Sequence, residues 1–281
     1  MSSTRVTFAT GAISGTGTAT RIEHVREGAV VVVDATPFHP VDHTWPDQPG
    51  DAGTLAGLTV SEAVMAAESD TGEFAVGSDI PVKRGAEGWA WLVGHVLPGG
   101  AGALSVGDRV ELRVDETRRA GLSRGHTACH LASLALDLAV ADLWRKDPGA
   151  DALGTPDFEG RANQSSRISP DTSVDTYRLG KSLRKAGFDT ETFASTLADR
   201  EAAINERLAE WVASAAASRI VAQGPTIVDR RSWQCHLPEG TAEILCGGTH
   251  VSSLAEFSRI TVALDLSDPQ LLVMTTTATV A

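Results

Sequence analysis

Two pairs of metal-ligating side chains at one spacing constrain this chain more than any other feature. His126 and His130 lie four residues apart, and Cys246 and His250 repeat that interval far downstream. Residues four apart on a helix leave the same face about one turn apart. Leu131, Leu134, Leu138 and Leu143 surround the first pair and predict a helix from His126 to about Lys146, ended by Pro148-Gly149. Gly247 and Gly248 allow a tight turn that aims Cys246 and His250 inward. Either pair alone arises readily by chance. Both together, in a chain with eight His and three Cys, predict a fold that brings distant segments to one point. Three imidazoles and a thiolate suit tetrahedral zinc. Position 127 is Thr, so the general base of an H-E-x-x-H metalloprotease is missing. Four protein ligands usually close a structural site, whereas a hydrolase keeps one position for water or substrate, and spacing leaves both open.

The rest of the pattern divides near Arg118-Arg119. Before it, Val30 to Val33 form a short apolar run, Trp89, Trp91, Val93 and His95 occupy alternate positions, and so do Val110, Leu112 and Val114. Such period-2 segments, punctuated at Pro49-Gly50 and Pro98-Gly99-Gly100, predict a small β-barrel or sandwich over residues 1–117. Residues 118–281 read as α+β. Gly154 to Thr176 is polar and predicted as loop with short strand. A second helix is predicted from about Glu191 to Ile220 on the stripe Phe193, Leu197, Ile204, Leu208, Trp211 and Ala215. Strands follow at Ser232–His236, Glu243–Leu245, Phe257–Leu264 and Gln270–Thr277.

Charge narrows the function classes. The formal net charge of −12 excludes a general basic coat for nucleic acid. Residues 1–117 hold 7 basic and 16 acidic side chains, residues 118–281 hold 17 and 20. Several of those 17 cluster, at Arg118, Arg119 and Arg124, at Arg178, Lys181, Arg184 and Lys185, and at Arg230 and Arg231. Such clusters are ordinarily solvated surface, yet they are also sufficient for a few phosphate contacts. No apolar run approaches the ~18–20 residues of a membrane span. The first thirty residues lack a basic start and an apolar block, which predicts no signal peptide. Three sparse cysteines predict a reducing, cytoplasmic setting.

Val114 to Leu131, reading VDETRRAGLSRGHTACHL, resembles the start of the editing domain of alanyl-tRNA synthetases and of their free-standing relatives, the AlaX editing proteins, where the pattern is roughly D-x-x-R-R followed by H-T-A-T-H-L. CGGTHV at Cys246–Val251 is similar to the second family motif, and the segment with Ile204-Asn205 resembles the one that precedes it. Upstream, Val33 to Pro40 and Gln48 to Gly53 look like the barrel motif T-x-F-Y-P…GGGQPxDxG. The resemblance spans roughly residues 30–264 in order.

It implies an N-terminal barrel domain followed by an α+β editing domain, and a trans-acting aminoacyl-tRNA deacylase that takes charged tRNA as partner, with no membrane or protein partner evident. It implies zinc held by His126, His130, Cys246 and His250, with Thr36, His126, His130 and Cys246 serving catalysis. Thr36 would contact the substrate side chain or the attacking water, and backbone N–H groups would stabilise the oxyanion. Gln48 and Asp51 match the loop that approaches the acceptor end, although ordinary strand-end and turn roles suit these three as well.

The chain also departs from that pattern. Val41 to Asp47, with His43 and Trp45, replaces the glycine-rich run, so bulk fills space that glycines leave open and these two become candidate substrate contacts. Cys129 replaces the second Thr of H-T-A-T-H and is expected to be buried packing, and Asn163-Gln164-Ser165-Ser166 stands where the family has Q-x-G-S. The expected substrates are therefore Ser- or Gly-charged alanine tRNA, or a threonine analogue such as fluorothreonyl-tRNA. The alternatives are a metal-dependent hydrolase of a small ester or amide, and a non-catalytic tRNA-binding module with structural zinc.

Overall fold

The computed structural model describes residues 2–25 and 28–281. Packing divides the chain into two units. One comprises Met1–Ala120, Ile220–Arg231 and Gly247–Thr249, the other Gly121–Arg219, Ser232–Cys246 and His250–Ala281.

The first unit is built of strands β1 (Arg5–Val6), β2 (Ser14–Val25), β3 (Gly28–Val33), β4 (Ala35–Thr36), β5 (Gly53–Leu55), β6 (Leu58–Val60), β7 (Glu62–Ser69), β8 (Phe74–Val76), β9 (Trp89–Leu97) and β10 (Arg109–Val114). Eight of them make one curled sheet in the order β6-β5-β10-β2-β3-β9-β7-β8, and β1 pairs with β4 separately. The small barrel expected from the pattern is thus a curled sheet, because β6 and β8 share no ladder among the described residues. Burial follows the sequence period. Val110, Leu112 and Val114 point inward while Arg109, Glu111 and Arg113 face solvent. Strand β3 is apolar throughout because both its faces are covered: Val31 and Val33 enter the main core with Trp91 and Leu112, and Val32 packs with Ala66 and Leu92 on the reverse. Residues 220–231 complete this unit, with the Val6 N–H donating to the Pro225 carbonyl at 2.8 Å and the Ile227 N–H to that of Thr4 at 2.9 Å.

Helix α1 (Glu116–Ala139) carries the first histidine pair. It begins ten residues before the predicted start, because Asp115 caps it: the Arg118 N–H donates to Asp115 Oδ1 at 3.0 Å. It ends at Ala139, ahead of Pro148-Gly149, and a single 3₁₀ turn (Ala141–Leu143) follows. Next come α2 (Glu159–Ala162), β11 (Asn163–Ser169), β12 (Thr172–Arg178), α3 (Lys181–Ala186), α4 (Thr190–Ser195), α5 (Leu197–Ala213), β13 (Ser218–Ala222), β14 (Arg231–Leu237), β15 (Gly240–Leu245), β16 (Phe257–Asp268) and β17 (Leu271–Val280).

Two expectations are corrected here. The polar stretch before Thr176 is loop only at its start, and then the short helix α2 leads into an antiparallel hairpin, β11–β12, whose first strand carries Asn163 to Ser166 with a register shift between Asn163 and Ser165. Its inward positions are Ser166, Ile168, Ser173, Asp175 and Tyr177, so the period is present but mostly polar, and apolar alternation does not reveal it. The long second helix is instead two helices broken at Thr196, and Ala215, at φ 51°, ends the helical region before β13.

The sheet β11-β12-β17-β16 is antiparallel, and β13, β14 and β15 form another. Asn205 on α5 fastens the edge strand β16, its side chain donating to the Val262 carbonyl at 2.9 Å and accepting the Val262 N–H at 2.8 Å. Gly121 and Gly125 let α1 approach the β11–β12 turn. A Cβ on Gly125 would lie 2.4 Å from the Ser169 carbonyl oxygen, and one on Gly121 would lie 2.8 Å from Pro170 Cβ.

Candidate metal centre

Five residues beyond Gly121 and Gly125 respectively, α1 presents His126 and His130. Strand β15 delivers Cys246 and the turn after it returns His250. One ligand atom from each of the four lies within 4.8 Å of the other three. Cys246 Sγ is 3.4 Å from His126 Nε2 and 3.3 Å from His250 Nε2. Tetrahedral zinc with bonds of about 2.3 Å to sulfur and 2.0–2.1 Å to nitrogen places S and N about 3.5 Å apart, so the donor spacing fits such an ion. Burial lowers the pKa of His130 to about 4, which makes its imidazole neutral at pH 7 and leaves a lone pair for a metal. Its Nε2 is a buried nitrogen without a hydrogen-bond partner, as expected of a ligand whose partner is an ion.

The surroundings of the quartet orient it. The Thr127 hydroxyl has one proton and donates it to the Ser123 carbonyl at 2.8 Å. It accepts the Val251 N–H at 3.1 Å. His250 Nδ1, 3.2 Å from the same oxygen, must therefore be the donor. That assigns the proton to Nδ1 and the lone pair to Nε2, on the side of Cys246. Trp233, fully buried, is the flat wall: its ring lies 5.2 Å from His130 at 24° and 5.5 Å from His250 at 33°. Its indole N–H donates to Ser218 Oγ at 2.7 Å, which fixes the plane. Neither Thr127 nor Trp233 stands out in the sequence as orienting a ligand. The alternation Ser232–His236 marks Trp233 only as a strand residue. Cys129, one residue from His130, is buried as expected, and its thiol lies 3.4 Å from Asp175 Oδ1. Burial first, then the Asp175 charge, raises its pKa well above the usual thiol range.

The first unit holds the other candidates. His95 Nδ1 is 2.9 Å from the Val31 carbonyl, so that nitrogen carries the proton and Nε2 accepts from Thr36 Oγ1 at 2.9 Å. Thr36 in turn accepts the Phe38 N–H at 3.1 Å, and its hydroxyl proton is committed to His95. Gln48 grips Thr249 with both ends of its amide: Nε2 donates to Thr249 Oγ1 at 3.0 Å and Oε1 accepts the Thr249 N–H at 3.1 Å. Asp51, fully buried, is doubly bound by the Arg119 guanidinium and accepts the His39 N–H at 2.5 Å. Arg119 also donates to the Pro37 carbonyl at 2.8 Å. Burial lowers the pKa of His39 to about 4.

In the 41–47 segment, Asp42 caps a turn by accepting from Thr44 and pairs with Arg84 at 3.0 Å. His43 packs on Trp91 with ring centroids 5.5 Å apart, and Trp45 is 47% exposed. Thus the polar atoms of Thr36, Gln48 and Asp51 have partners within the protein, while Trp45 offers a free aromatic face.

The site is therefore a His₃Cys cluster whose spacing could hold a metal ion. No family model matches the chain. It is 37% identical over 119 residues to the alanine–tRNA ligase of Bordetella petrii and 38% identical over 119 residues to that of Bordetella pertussis. Each alignment takes in 42% of this chain and 11% of the ligase, so the chain matches about a tenth of the length of these distant homologues. Among the described residues no helix is long and apolar enough to cross a membrane.

Proposed function

We propose that this protein is a trans-acting aminoacyl-tRNA deacylase that hydrolyses the ester of a wrongly charged tRNA in the cytoplasm. The single observation that carries this reading is the convergence of His126, His130, Cys246 and His250 within 4.8 Å in a chain similar to alanine–tRNA ligases. These four residues would hold the metal, and zinc is the ion their donor set suits. When bound, such an ion supplies Lewis acidity toward the ester carbonyl or anchors the substrate amino group. Thr127 keeps His250 in the ligating tautomer, and Trp233 keeps the imidazoles in plane. In the reaction a water oxygen bonds to the carbonyl carbon and the bond to the terminal ribose oxygen breaks. A free amino acid and a tRNA hydroxyl result, with a proton released to solvent.

Thr36, His43, Trp45, Gln48 and Asp51 are proposed to serve substrate recognition. Thr36, whose proton is engaged by His95, would act there as an acceptor toward a hydroxyl or ammonium group. Gln48 and Asp51 would act through the backbone they hold. The expected substrates are alanine tRNA carrying Ser or Gly, or a tRNA carrying a threonine analogue.

The test is deacylation of a panel of charged tRNAs by metal-quantified protein, beside the His126→Ala and Cys246→Ala variants. Turnover lost in both variants supports the reading, and full activity in both refutes the assigned mechanism. Because four protein donors also suit a structural zinc, a non-catalytic tRNA-binding module is the second reading. Tight tRNA binding with bound zinc and no turnover of any charged tRNA would establish it.

A further inference from the structure

In an acidic protein, one surface concentrates unpaired cations. Residues 178–187, RLGKSLRKAG, carry Arg178, Lys181, Arg184 and Lys185 and no acidic side chain, while the whole chain has a net charge of −12. On α3, Lys181, Arg184 and Lys185 stand at i, i+3 and i+4 and so share one face. All four are exposed.

Lys146 joins them from another segment. Its ammonium donates to the Lys185 carbonyl at 3.2 Å, and the Arg145 N–H donates to the Gly187 carbonyl at 2.9 Å. Asp189, just past the helix, is engaged by Arg145 at 2.6 Å. Asp147, next to Lys146 in the chain, accepts the Gly149 N–H at 2.8 Å. Among the described residues Lys146, Arg178, Lys181, Arg184 and Lys185 form no ion pair, whereas eight other arginines do.

The platform beneath is packed. Leu183 and Phe188 are buried, Phe188 meets Trp144 edge-on at 5.0 Å, and Gly187 at φ 113° closes the helix in a left-handed cap that a side chain would disturb. Uncompensated cations at fixed spacing on a firm base lower stability by mutual repulsion, and they gain from a polyanion that releases counterions on binding.

We propose that this face, made by Arg178, Lys181, Arg184, Lys185 and Lys146, binds the phosphate backbone of RNA. The inference rests on the tRNA reading above and names where the body of the tRNA is held. The surface reads no bases, so it contributes affinity and leaves discrimination between amino acids to the rest of the protein.

The experiment measures binding of a transcribed alanine tRNA, and KM and kcat for its mischarged form, across a salt series. It compares the parent, the triple variant K181A/R184A/K185A and the control R109A/R113A, whose changes lie at two solvent-facing positions of β10. Removing three phosphate contacts should weaken tRNA binding about 10- to 100-fold and reduce the slope of log K against log salt by about 2–3. KM should rise with kcat retained at saturating tRNA, and the control should match the parent. If the triple variant keeps the parent's affinity, slope and KM while the parent deacylates tRNA, this surface is refuted and the deacylase reading stands. An equal loss in the control would refute it too, as a general charge effect. A parent that binds no tRNA at any salt would refute both.

Discussion

Replacing Thr127 by Val tests whether one hydroxyl organises the quartet. The two side chains are nearly isosteric, so the change removes an oxygen and leaves packing at this fully buried position almost unaltered. Three contacts are lost. The Ser123 carbonyl is on a helix and keeps its backbone partner, so that loss is small. The Val251 N–H is buried and left without an acceptor, which costs about 1–3 kcal/mol whether or not metal is present. His250 Nδ1 loses the Thr127 oxygen, so the tautomer that turns Nε2 toward Cys246 is held less firmly, while Trp233 still fixes the ring plane. Removing such an orienting partner lowers metal affinity about 10- to 100-fold.

The two effects separate in measurement. Urea unfolding in the presence of a chelator reports the first, and competition for zinc against a chelating dye reports the second, with Co(II) absorption showing whether the coordination stays tetrahedral. Thr127→Ser restores the oxygen at the cost of one methyl group, about 0.8 kcal/mol, and should recover most of the zinc affinity. Parental zinc affinity in Thr127→Val, or a Ser variant no better than Val, would refute the orienting role.

Glu159 offers a pH test. Burial raises its pKa from 4.5 to about 7, and the charges of Asp175 and Asp157 act in the same direction, against the hydrogen bond from Asn163. The folded state then binds the proton more tightly than the unfolded one. This contribution is fully present below pH 4.5 and is lost as pH rises through 7, a cost of about 3 kcal/mol above that. Glu159→Gln should therefore gain about that much over the parent in urea unfolding at pH 8 and almost nothing at pH 4, and a gain independent of pH would contradict the assignment. Asp51→Asn leaves Arg119 buried without its charge partner and should destabilise by about 3–5 kcal/mol. Unfolding within about 0.5 kcal/mol of the parent would show that the pair is not desolvated. Gly125→Ala must push back the Ser169 carbonyl and should cost about 1–3 kcal/mol, read as a lower urea midpoint.

The sequence by itself determined the parts whose physics is local. The i, i+4 spacing placed His126 and His130 on one helical face, the two glycines allowed the Cys246–His250 turn, and apolar alternation marked β9 and β10. It also supplied the donor chemistry, three imidazoles and a thiol, that could hold a metal ion. Only the tertiary structure decided the rest, because those features join residues distant in the chain. The β11–β12 hairpin was hidden because its buried positions are Ser, Asp and Tyr, whose inward direction is dictated by contacts with α1 and β17. The break falls at Thr196, whose backbone leaves helical geometry at φ −114° and ψ 16°, a departure that an apolar stripe does not record. Residues 220–231 join the first unit through backbone bonds to Thr4 and Val6. Gln48 and Asp51, as plain turn residues in the sequence, gain their partners Thr249 and Arg119 only on folding. The tautomer of His250 likewise depends on where folding sets Thr127, 123 residues earlier in the chain, and a hydrogen bond across that separation leaves no trace in local pattern.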